Sequence, residues 1–128
     1  MLVLTRRTNE VLVIDGCVYL TVLRVWSHEV KIGITAPAKY AVDRDEIRRR
    51  QLLRGVVKSN HSGSRRGGML VFTRQVGQKF WIGTEVCVMV TKIDRGKVRF
   101  GTTAPLWVPI FRKELLSEPL RQPKPMRR

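Results

Sequence analysis

In the stretch Met69-Leu70-Val71-Phe72-Thr73-Arg74, the chain repeats five of its first six residues, Met1-Leu2-Val3-Leu4-Thr5-Arg6, at an offset of 68 positions. The same offset, held without a gap, gives 15 identities over 47 aligned positions. They include Thr35-Ala36-Pro37, which recurs as Thr103-Ala104-Pro105. So many identities at one fixed offset indicate an internal duplication. We therefore predict two copies of one small unit joined by a linker.

The duplication divides the 128 residues into four segments. We predict a first repeat over residues 1–55, a flexible basic linker over 56–68, a diverged second repeat over 69–116 and a basic, proline-rich, disordered tail over 117–128. A unit of about 50 residues buries little apolar surface by itself. Packing of the two repeats against each other is therefore expected.

Each repeat is predicted to be mainly β with a short α-helix, in the order β-β-β-β-β-α. Apolar alternation indicates strands over residues 1–7, 11–14, 18–25 and 29–35. Asp15-Gly16 is a typical two-residue hairpin turn, and Ala36-Pro37 precedes a short fifth strand over Lys39–Val42. Asp43 and Glu46 have capping-box spacing, which predicts a helix from about residue 44 to residue 54. Its counterpart, over 113–116, is cut short by Pro119.

The chain is strongly basic. Its net charge of +15 comes from 25 basic and 10 acidic residues and is spread over both repeats. Such a field attracts polyanions, of which nucleic acid is the commonest. An anionic membrane is a weaker candidate, because no amphipathic helix with a basic face is evident. No signal peptide or membrane-spanning apolar run is recognised, so a cytoplasmic protein is expected.

No catalytic or metal-binding pattern is recognised. His28 lies in a predicted turn and His61 in the linker, so both are expected at the surface without a catalytic partner. Cys17 and Cys87 occupy non-equivalent positions of the two repeats and are expected to be buried free thiols. The sequence therefore predicts a protein that is not an enzyme and carries neither metal nor cofactor.

Four arginines occupy matching places in the two repeats. Arg6 and Arg74 close the first strands, and Arg44 and Arg112 close the fifth. A surface arginine is usually a solvated charge, but retention in two diverged copies indicates a shared role. Guanidinium groups suit phosphate and base-edge recognition because they present a planar fork of donors. The run 48–50, by contrast, has no counterpart and is interpreted as a solvated helix face. The Thr-Ala-Pro segments fit a proline turn and a binding loop equally well.

Three stretches carry a resemblance to a known family. Met1-Leu2-Val3-Leu4-Thr5-Arg6-Arg7, Val30-Lys31-Ile32-Gly33-Ile34 and Val42-Asp43-Arg44-Asp45-Glu46-Ile47 are together similar to the CsrA/RsmA carbon storage regulators of bacteria. The family forms homodimers in which the first and fifth strands of one protomer pair with the middle strands of the other. The resemblance implies that the two repeats build an intertwined β-sandwich, a pseudo-dimer within one chain.

The resemblance also implies a function. The chain would be a sequence-specific RNA-binding regulator of translation and mRNA stability that recognises GGA triplets in mRNA leader hairpins. Its partners would be mRNA, small regulatory RNA and a protein antagonist, and no cofactor would take part. Two RNA sites are implied. One joins Leu4, Thr5 and Arg6 to Ile110, Phe111 and Arg112, and the other joins Phe72, Thr73 and Arg74 to Val42, Asp43 and Arg44. Ala36-Pro37 and Ala104-Pro105 would line these two sites.

Departures from the family pattern predict that the two sites differ. Asp43 adds a negative charge beside a phosphate-binding edge, whereas Phe72 and Phe111 are able to stack a base. Two other functions stay open: a protein-interaction module with the same fold, and a general nucleic-acid binder whose affinity collapses with salt. The assembly is open as well, because each repeat could pair with the same repeat of a second chain in a larger homo-oligomer.

Overall fold

The computed structural model describes residues 1–37, 40–45, 64–66 and 69–113, with the backbone alone for Arg44 and residues 64–66. The described residues form eleven strands, numbered in chain order. They are β1 Leu2–Arg7, β2 Val11–Ile14, β3 Val18–Val25, β4 Glu29–Thr35, β5 Val42–Arg44, β6 Ser64–Arg66, β7 Met69–Gln75, β8 Lys79–Ile82, β9 Val86–Asp94, β10 Lys97–Thr103 and β11 Ile110–Arg112.

The strands form two antiparallel sheets that each mix both repeats. The first sheet has the order β1-β10-β9-β8-β5, and the second has the order β11-β2-β3-β4-β7-β6. Each sheet is therefore built on the three middle strands of one repeat, flanked by the first and fifth strands of the other. Leu2 lies opposite Thr102, and Ile110 lies opposite Ile14. The predicted fold class, an intertwined pseudo-dimer of two repeats, is confirmed.

The core lies between the two sheets. On β4, Val30, Ile32 and Ile34 are buried, while Lys31 between them points away from the core, as the alternation predicted. Phe72 of β7 packs edge-on against Phe80 of β8, with the ring centroids 5.1 Å apart. The other buried apolar members of the cluster are Leu12, Ile14, Val18, Leu20, Val22, Val42, Leu70, Ile82, Val86, Val88, Val90, Val98 and Phe100. Because each repeat contributes to both sheets, neither repeat has a core of its own.

The predicted hairpin turns are present. Asp15 and Gly16 both have positive φ, 56° and 72°, which is the backbone of a tight turn whose twist matches its strands. Arg95 and Gly96 form the equivalent kind of turn between β9 and β10, at 51° and 78°. At the turn after β1, Asn9 takes a φ of 72° where the second repeat has a glycine. Asparagine tolerates this left-handed region better than other side chains.

Two glycines retained in both repeats allow close packing. A Cβ atom placed on Gly33 would collide with the Sδ atom of Met69, and one placed on Gly101 would collide with the Sδ atom of Met1. Met1 directly precedes β1 and Met69 begins β7, at matching positions of the two repeats, so the two contacts are equivalent. Each glycine lets a methionine side chain lie across the outer face of the neighbouring strand.

The fifth strand differs from its prediction. It spans Val42–Arg44, where Val42 pairs with Ile82 of β8, and Tyr40 and Ala41 are not part of it. The amide of Tyr40 instead donates to the carbonyl of Pro37, 3.0 Å away, in a turn. Val42 is the residue that enters the core, with 1 % of its surface exposed. The strand therefore begins where an apolar side chain meets the opposite sheet.

Several other predictions fall partly or wholly outside the described residues. Asp45 and Lys113 are helical and Arg44 ends β5, but residues 46–54 and 114–116 of the predicted helices, His61 and the tail lie outside. His28 is exposed, as predicted. Cys17 and Cys87 form no disulfide bond, but both are half-buried and not buried, because Cys17 lies in a turn and Cys87 lies on the outward-facing side of β9.

The end of the linker departs from the flexible segment that the sequence predicted. Ser64–Arg66 forms β6, which pairs antiparallel with β7; Ser64 lies opposite Val71 and Arg66 lies opposite Met69. The edge of β7 supplies the backbone partners. A polar composition therefore did not prevent pairing, because the neighbouring strand has an available edge.

Candidate nucleic-acid interface

The first predicted site lies where an edge strand of each sheet begins. Among the described residues, β1 pairs only with β10 and β11 pairs only with β2, so each has one open edge. Met1, Leu2, Ala104, Pro105 and Ile110 line one cleft of about 250 Å³. The structure thus brings the start of β1 together with Ala104-Pro105 and the start of β11, segments from opposite ends of the chain.

The side chains predicted for the first site differ in accessibility. Thr5 and Arg112 are exposed, and Leu4 and Phe111 are half-buried. On β11, Phe111 lies opposite Val13 of β2, and Arg112 lies opposite Leu12. Because Thr5 and Arg112 point into solvent from edge strands, a hydroxyl and a guanidinium are both available to a ligand there.

Arg6 and Arg74 have a different environment from the one that the sequence suggested. Each has only 3 % of its surface exposed. The Nε atom of Arg74 donates to the carbonyl of Thr73 and its Nη1 atom to that of Lys79, both at 2.9 Å. Arg6 repeats these contacts with Thr5 at 2.8 Å and Val11 at 3.3 Å. Both guanidinium groups therefore bind the backbone on either side of the turn that follows the first strand.

Arg6 makes one contact that Arg74 lacks among the described residues. Its Nη2 atom lies 3.5 Å from a carboxylate oxygen of Glu10. The residue equivalent to Glu10 is Gln78, whose side-chain oxygen accepts from the amide of Gln75. Glu10 accepts from the amide of Arg7 in the same manner. The geometry of this turn is therefore the same in both repeats, but the negative charge of Glu10 is present only in the first.

The residues of the second predicted site are more buried. Val42 and Asp43 each have 1 % of their surface exposed, and Phe72 has 7 %. Thr73 is exposed. The ring of Phe72 packs in the core against Phe80 and not in solvent, so only its backbone faces the strand edge. At this second site, β6 pairs with the edge of β7 along Met69–Val71, immediately before Phe72.

The remaining predicted residues flank these strands. Ala36 is half-buried and Pro37 is exposed, and both follow β4. The backbone of Arg44 ends β5, where it lies opposite Phe80. Its side chain lies outside the part of the chain that the structure describes. The RNA-contacting role of all these residues remains a prediction.

A hydrogen bond that the sequence analysis missed holds β5 to β8. The indole Nε1 atom of Trp81 donates to Oδ1 of Asp45 at 3.0 Å, and Asp45 has 9 % of its surface exposed. The equivalent positions of the other sheet are Val13 and Lys113, which cannot form this bond. Alignment of the two repeats shows that the residues at these positions differ. Only the pairing of β5 with β8 shows that the two side chains are neighbours.

A second missed contact lies at the end of the sandwich. The phenol of Tyr40 donates to the carboxylate of Asp15, in the β2–β3 turn, and lies 3.5 Å from the Sγ atom of Cys17. The hydrogen bond to Asp15 is the largest cause of a raised pKa for the Tyr40 phenol, followed by the contact with Cys17 and by burial. The hydrogen bond thus ties the segment before β5 to the β2–β3 turn.

Two kinds of feature are absent from the described residues. No group of three or more His, Cys, Asp or Glu side chains among them is arranged to hold a metal ion. Within the same residues, no helix has the length and apolar character needed to cross a bilayer.

Comparison with known proteins gives the same match in both halves of the chain. The sequence model of CsrA, described as a global regulator protein family, matches residues 1–51 and again residues 69–119. The chain is 46 % identical over 56 residues to the translational regulator CsrA of Thermosipho melanesiensis, a match that covers 44 % of this chain and 75 % of the relative. It is 44 % identical over 50 residues to the translational regulator CsrA of Clostridium botulinum, with 39 % and 69 % covered. No solved structure matches the chain significantly.

Proposed function

Because the chain belongs to the CsrA global regulator family, we propose that it is an RNA-binding regulator of translation that recognises GGA triplets in mRNA leader hairpins. Its similar relatives are named translational regulators. Binding over a ribosome-binding site would block initiation, and binding elsewhere in a leader would change message stability. Small regulatory RNA with the same triplets would compete for the protein.

The observation that carries the proposal is the juxtaposition of two open strand edges around one cleft. An edge strand presents unpaired backbone amide and carbonyl groups. The Watson–Crick edges of unstacked purines are read by such donors and acceptors. The open edge of β1 offers them beside the exposed side chain of Thr5. Ala104, Pro105 and Ile110 form an apolar wall of the cleft, and Ile110 begins β11, which carries the exposed side chain of Arg112. The backbone groups of the β1 edge would bind the bases, and the guanidinium group of Arg112 would bind a phosphate.

The buried arginines support this edge from behind. Since Arg6 holds the backbone of Thr5 and Val11, it fixes the end of the strand that would read the RNA. We therefore assign Arg6 and Arg74 a positioning role and Arg112 a direct contact with RNA. Arg44, at the equivalent position of the other repeat, is the corresponding proposed contact at the second site.

The two sites are proposed to be unequal. The second site has the buried carboxylate of Asp43 on its fifth strand and the paired strand β6 along the edge of β7. The first site has an open β1 edge and, at the position equivalent to Asp43, the half-buried ring of Phe111. Both differences favour RNA at the first site.

The test is a titration by fluorescence anisotropy with a hairpin that carries GGA in its loop and the same hairpin with the triplet changed. We expect selective binding, with one tight and one weaker RNA per chain. Arg112→Ala is expected to weaken RNA binding at the tight site by about 1–3 kcal/mol. Arg44→Ala should weaken binding at the weak site. Arg24→Ala, on the outer face of β3, should change binding at neither site. Equal binding of both hairpins, lost in salt, would replace the proposal with a general nucleic-acid binder. Absence of RNA binding would favour the protein-interaction module.

The same sample tests the assembly. In a pseudo-dimer within one chain, the mass in solution is that of a 14.8 kDa monomer. Exchange of repeats between two chains would double that mass. Sedimentation equilibrium with and without RNA distinguishes the two assemblies.

A further inference from the structure

Four exposed cations lie together on the outer face of the first sheet. They are Arg7 of β1, Lys97 and Arg99 of β10, and Lys92 of β9, a set that we call the basic face. Their neighbours Arg6, Val98 and Phe100 point to the opposite side and are buried, so alternation directs the four cations away from the core. Lys92, Lys97 and Arg99 line a polar cleft of about 230 Å³ together with Thr5 and Asp94.

The cross-strand register brings like charges together. Arg7 lies directly opposite Lys97, and Arg99 lies directly opposite Lys92. Like charges at such positions destabilise an antiparallel sheet. None of the four side chains forms an ion pair with another residue in the described part of the chain, where Arg6 and Glu10 form the pair. Asp94 supplies the one negative charge of the cleft, so most of the positive charge is left uncompensated.

The second sheet provides an internal comparison. At the offset of 68 residues, Arg7, Lys92, Lys97 and Arg99 correspond to Gln75, Arg24, Glu29 and Lys31. The basic face therefore has four positive charges where its counterpart has two positive charges and one negative charge. On the counterpart, the guanidinium of Arg24 lies over the ring of Trp26, 4.9 Å from its centroid. The charge accumulation is thus a property of one face and not of the fold.

The basic face is continuous with the first proposed RNA site. Thr5 belongs to both, because it lines the polar cleft and lies on the β1 edge, opposite Arg99. An RNA chain that leaves the β1 edge over Thr5 reaches Arg99 and then Lys92 on successive strands, which are about 4.8 Å apart in a sheet. We propose that the basic face binds the phosphodiester backbone of RNA that flanks the nucleotides held at the first site. This inference rests on the proposed function and adds a second surface to it.

Phosphate groups would neutralise the two like-charge pairs that the free protein maintains. A contact of this kind carries no sequence information but contributes affinity and salt dependence. The basic face should therefore strengthen binding of long RNA without changing the preference for GGA. It would also add to the inequality of the two sites, since the second sheet has fewer cations at the equivalent positions.

The experiment compares two double variants that are matched by the internal symmetry. Lys92→Gln with Arg99→Gln changes the basic face, and Arg24→Gln with Lys31→Gln changes the equivalent positions of the other sheet. Each removes one lysine and one arginine. The probes are a GGA hairpin with an extended stem and single-stranded flanks, and a short oligonucleotide that contains only the GGA loop sequence.

For the basic-face variant, we expect the long RNA to bind on the order of tenfold more weakly at about 0.1 M salt, with a salt slope that is smaller by roughly 1.4. The short oligonucleotide and the GGA preference should be unchanged, and the unfolding midpoint should be no lower than that of the parent chain. The matched variant should leave binding of the long RNA at the tight site unchanged.

Three results would overturn the inference. If both double variants lose the same affinity for the long RNA, the effect is due to net charge and not to the basic face. If the basic-face variant keeps its affinity for the long RNA, the basic face does not take part in RNA binding. The third result uses polyglutamate, an acidic polypeptide, as the probe. If the basic-face variant no longer binds polyglutamate but binds RNA as tightly as the parent chain, the basic face belongs to an acidic protein partner. Failure of the proposed function is recognised separately, because the parent chain itself would then not distinguish the two hairpins.

Discussion

The Nη1 atom of Arg74 donates to the carbonyl of Lys79 at 2.9 Å, five residues later, and Arg6 forms the same bond with Val11 at 3.3 Å. These arginines are the residues retained at the ends of the first strands of both repeats. Their shared contact is a clamp on the backbone around the following turn. These backbone contacts are therefore a structural reason for both repeats to retain an arginine here, with or without a ligand.

Arg74→Ala tests this clamp. The change removes charge-assisted donors from the carbonyls of Thr73 and Lys79, so we expect the free energy of unfolding to fall by about 2 kcal/mol. Arg74→Lys should not restore the loss, because an ammonium cannot reproduce the planar fork. Urea denaturation followed by circular dichroism measures the difference. The exposed Arg112→Ala serves as the control, with an expected change within about 0.5 kcal/mol. Equal losses in Arg74→Ala and Arg112→Ala would contradict the clamp.

The bond between Trp81 and Asp45 predicts a measurable coupling between β8 and the end of β5. We expect a double-mutant cycle of Trp81→Phe and Asp45→Ala to give a coupling energy of about 1 kcal/mol in unfolding experiments. The half of the molecule with Val13 and Lys113 has no such bond, so the cycle Val13→Ala with Lys113→Ala is the matched control. A coupling near zero for Trp81 and Asp45 would show that β5 is held by its backbone pairing alone.

Tyr40 predicts a loss of stability at alkaline pH. In the unfolded chain, a tyrosine loses its proton near pH 10.0, whereas the hydrogen bond to Asp15 raises the pKa of Tyr40 in the folded protein. Above pH 10.0 the unfolded state therefore binds fewer protons than the folded state, and stability falls as pH rises. The stabilisation from this contact is complete below that pH.

The measurement for Tyr40 is the unfolding free energy of the parent chain and of Tyr40→Phe between about pH 8 and pH 11. We expect the advantage of the parent chain to shrink through the upper part of this range. Tyr19→Phe is the control, since it removes the other tyrosine from an outer face. An advantage that stays constant with pH would mean that the Asp15 contact does not hold the phenol protonated.

Pairing of β6 with β7 predicts that the linker restrains the second proposed RNA site. Consecutive residues of a strand direct their amides to opposite sides, so one of Ser64→Pro and Arg65→Pro must remove a donor to β7 while the other spares it. If β6 competes with RNA by roughly 1 kcal/mol, the disrupting variant should bind about fivefold more tightly at the second site. Affinity at the first site should not change.

Anisotropy titrations of both proline variants, with Arg65→Gln as the control for charge, provide this measurement. The comparison uses the two RNA-binding steps of each chain, so the first step acts as an internal reference. Improvement in both proline variants to the same extent, or in neither, would indicate that strand pairing at Ser64–Arg66 does not limit access to β7.

Local features of the fold were predictable because they depend on neighbouring residues. The bounds of β2, β3 and β4 agree with their predictions, since alternation of apolar side chains and the turn residues at Asp15-Gly16 act within a few positions. The fifth strand was placed three residues too early, because its start depends on where Val42 meets the opposite sheet. Resemblance to a known family supplied the pairing of strands between repeats, which composition and periodicity alone do not determine.

The candidate site was predictable as a set of segments but not as a set of exposed side chains. The structure brings Ala104, Pro105 and Ile110 beside the start of β1 in one cleft. Sequence reasoning had no means to see that Arg6 and Arg74 are buried, because a polar residue at a strand end reads as exposed unless its backbone partners are known. The basic face was also invisible, since its cations come from three strands of two repeats.

The sequence by itself therefore determined the duplication, the strand alternation, the turns and the family, because each of these is written in adjacent residues or in one constant offset. Tertiary structure alone decided which edges are open, which arginines are accessible and where like charges accumulate. Those properties depend on contacts such as Leu2 with Thr102 and Arg7 with Lys97, which join residues about 90 or more positions apart. Only the register across the sheets determines which residues face each other over such separations.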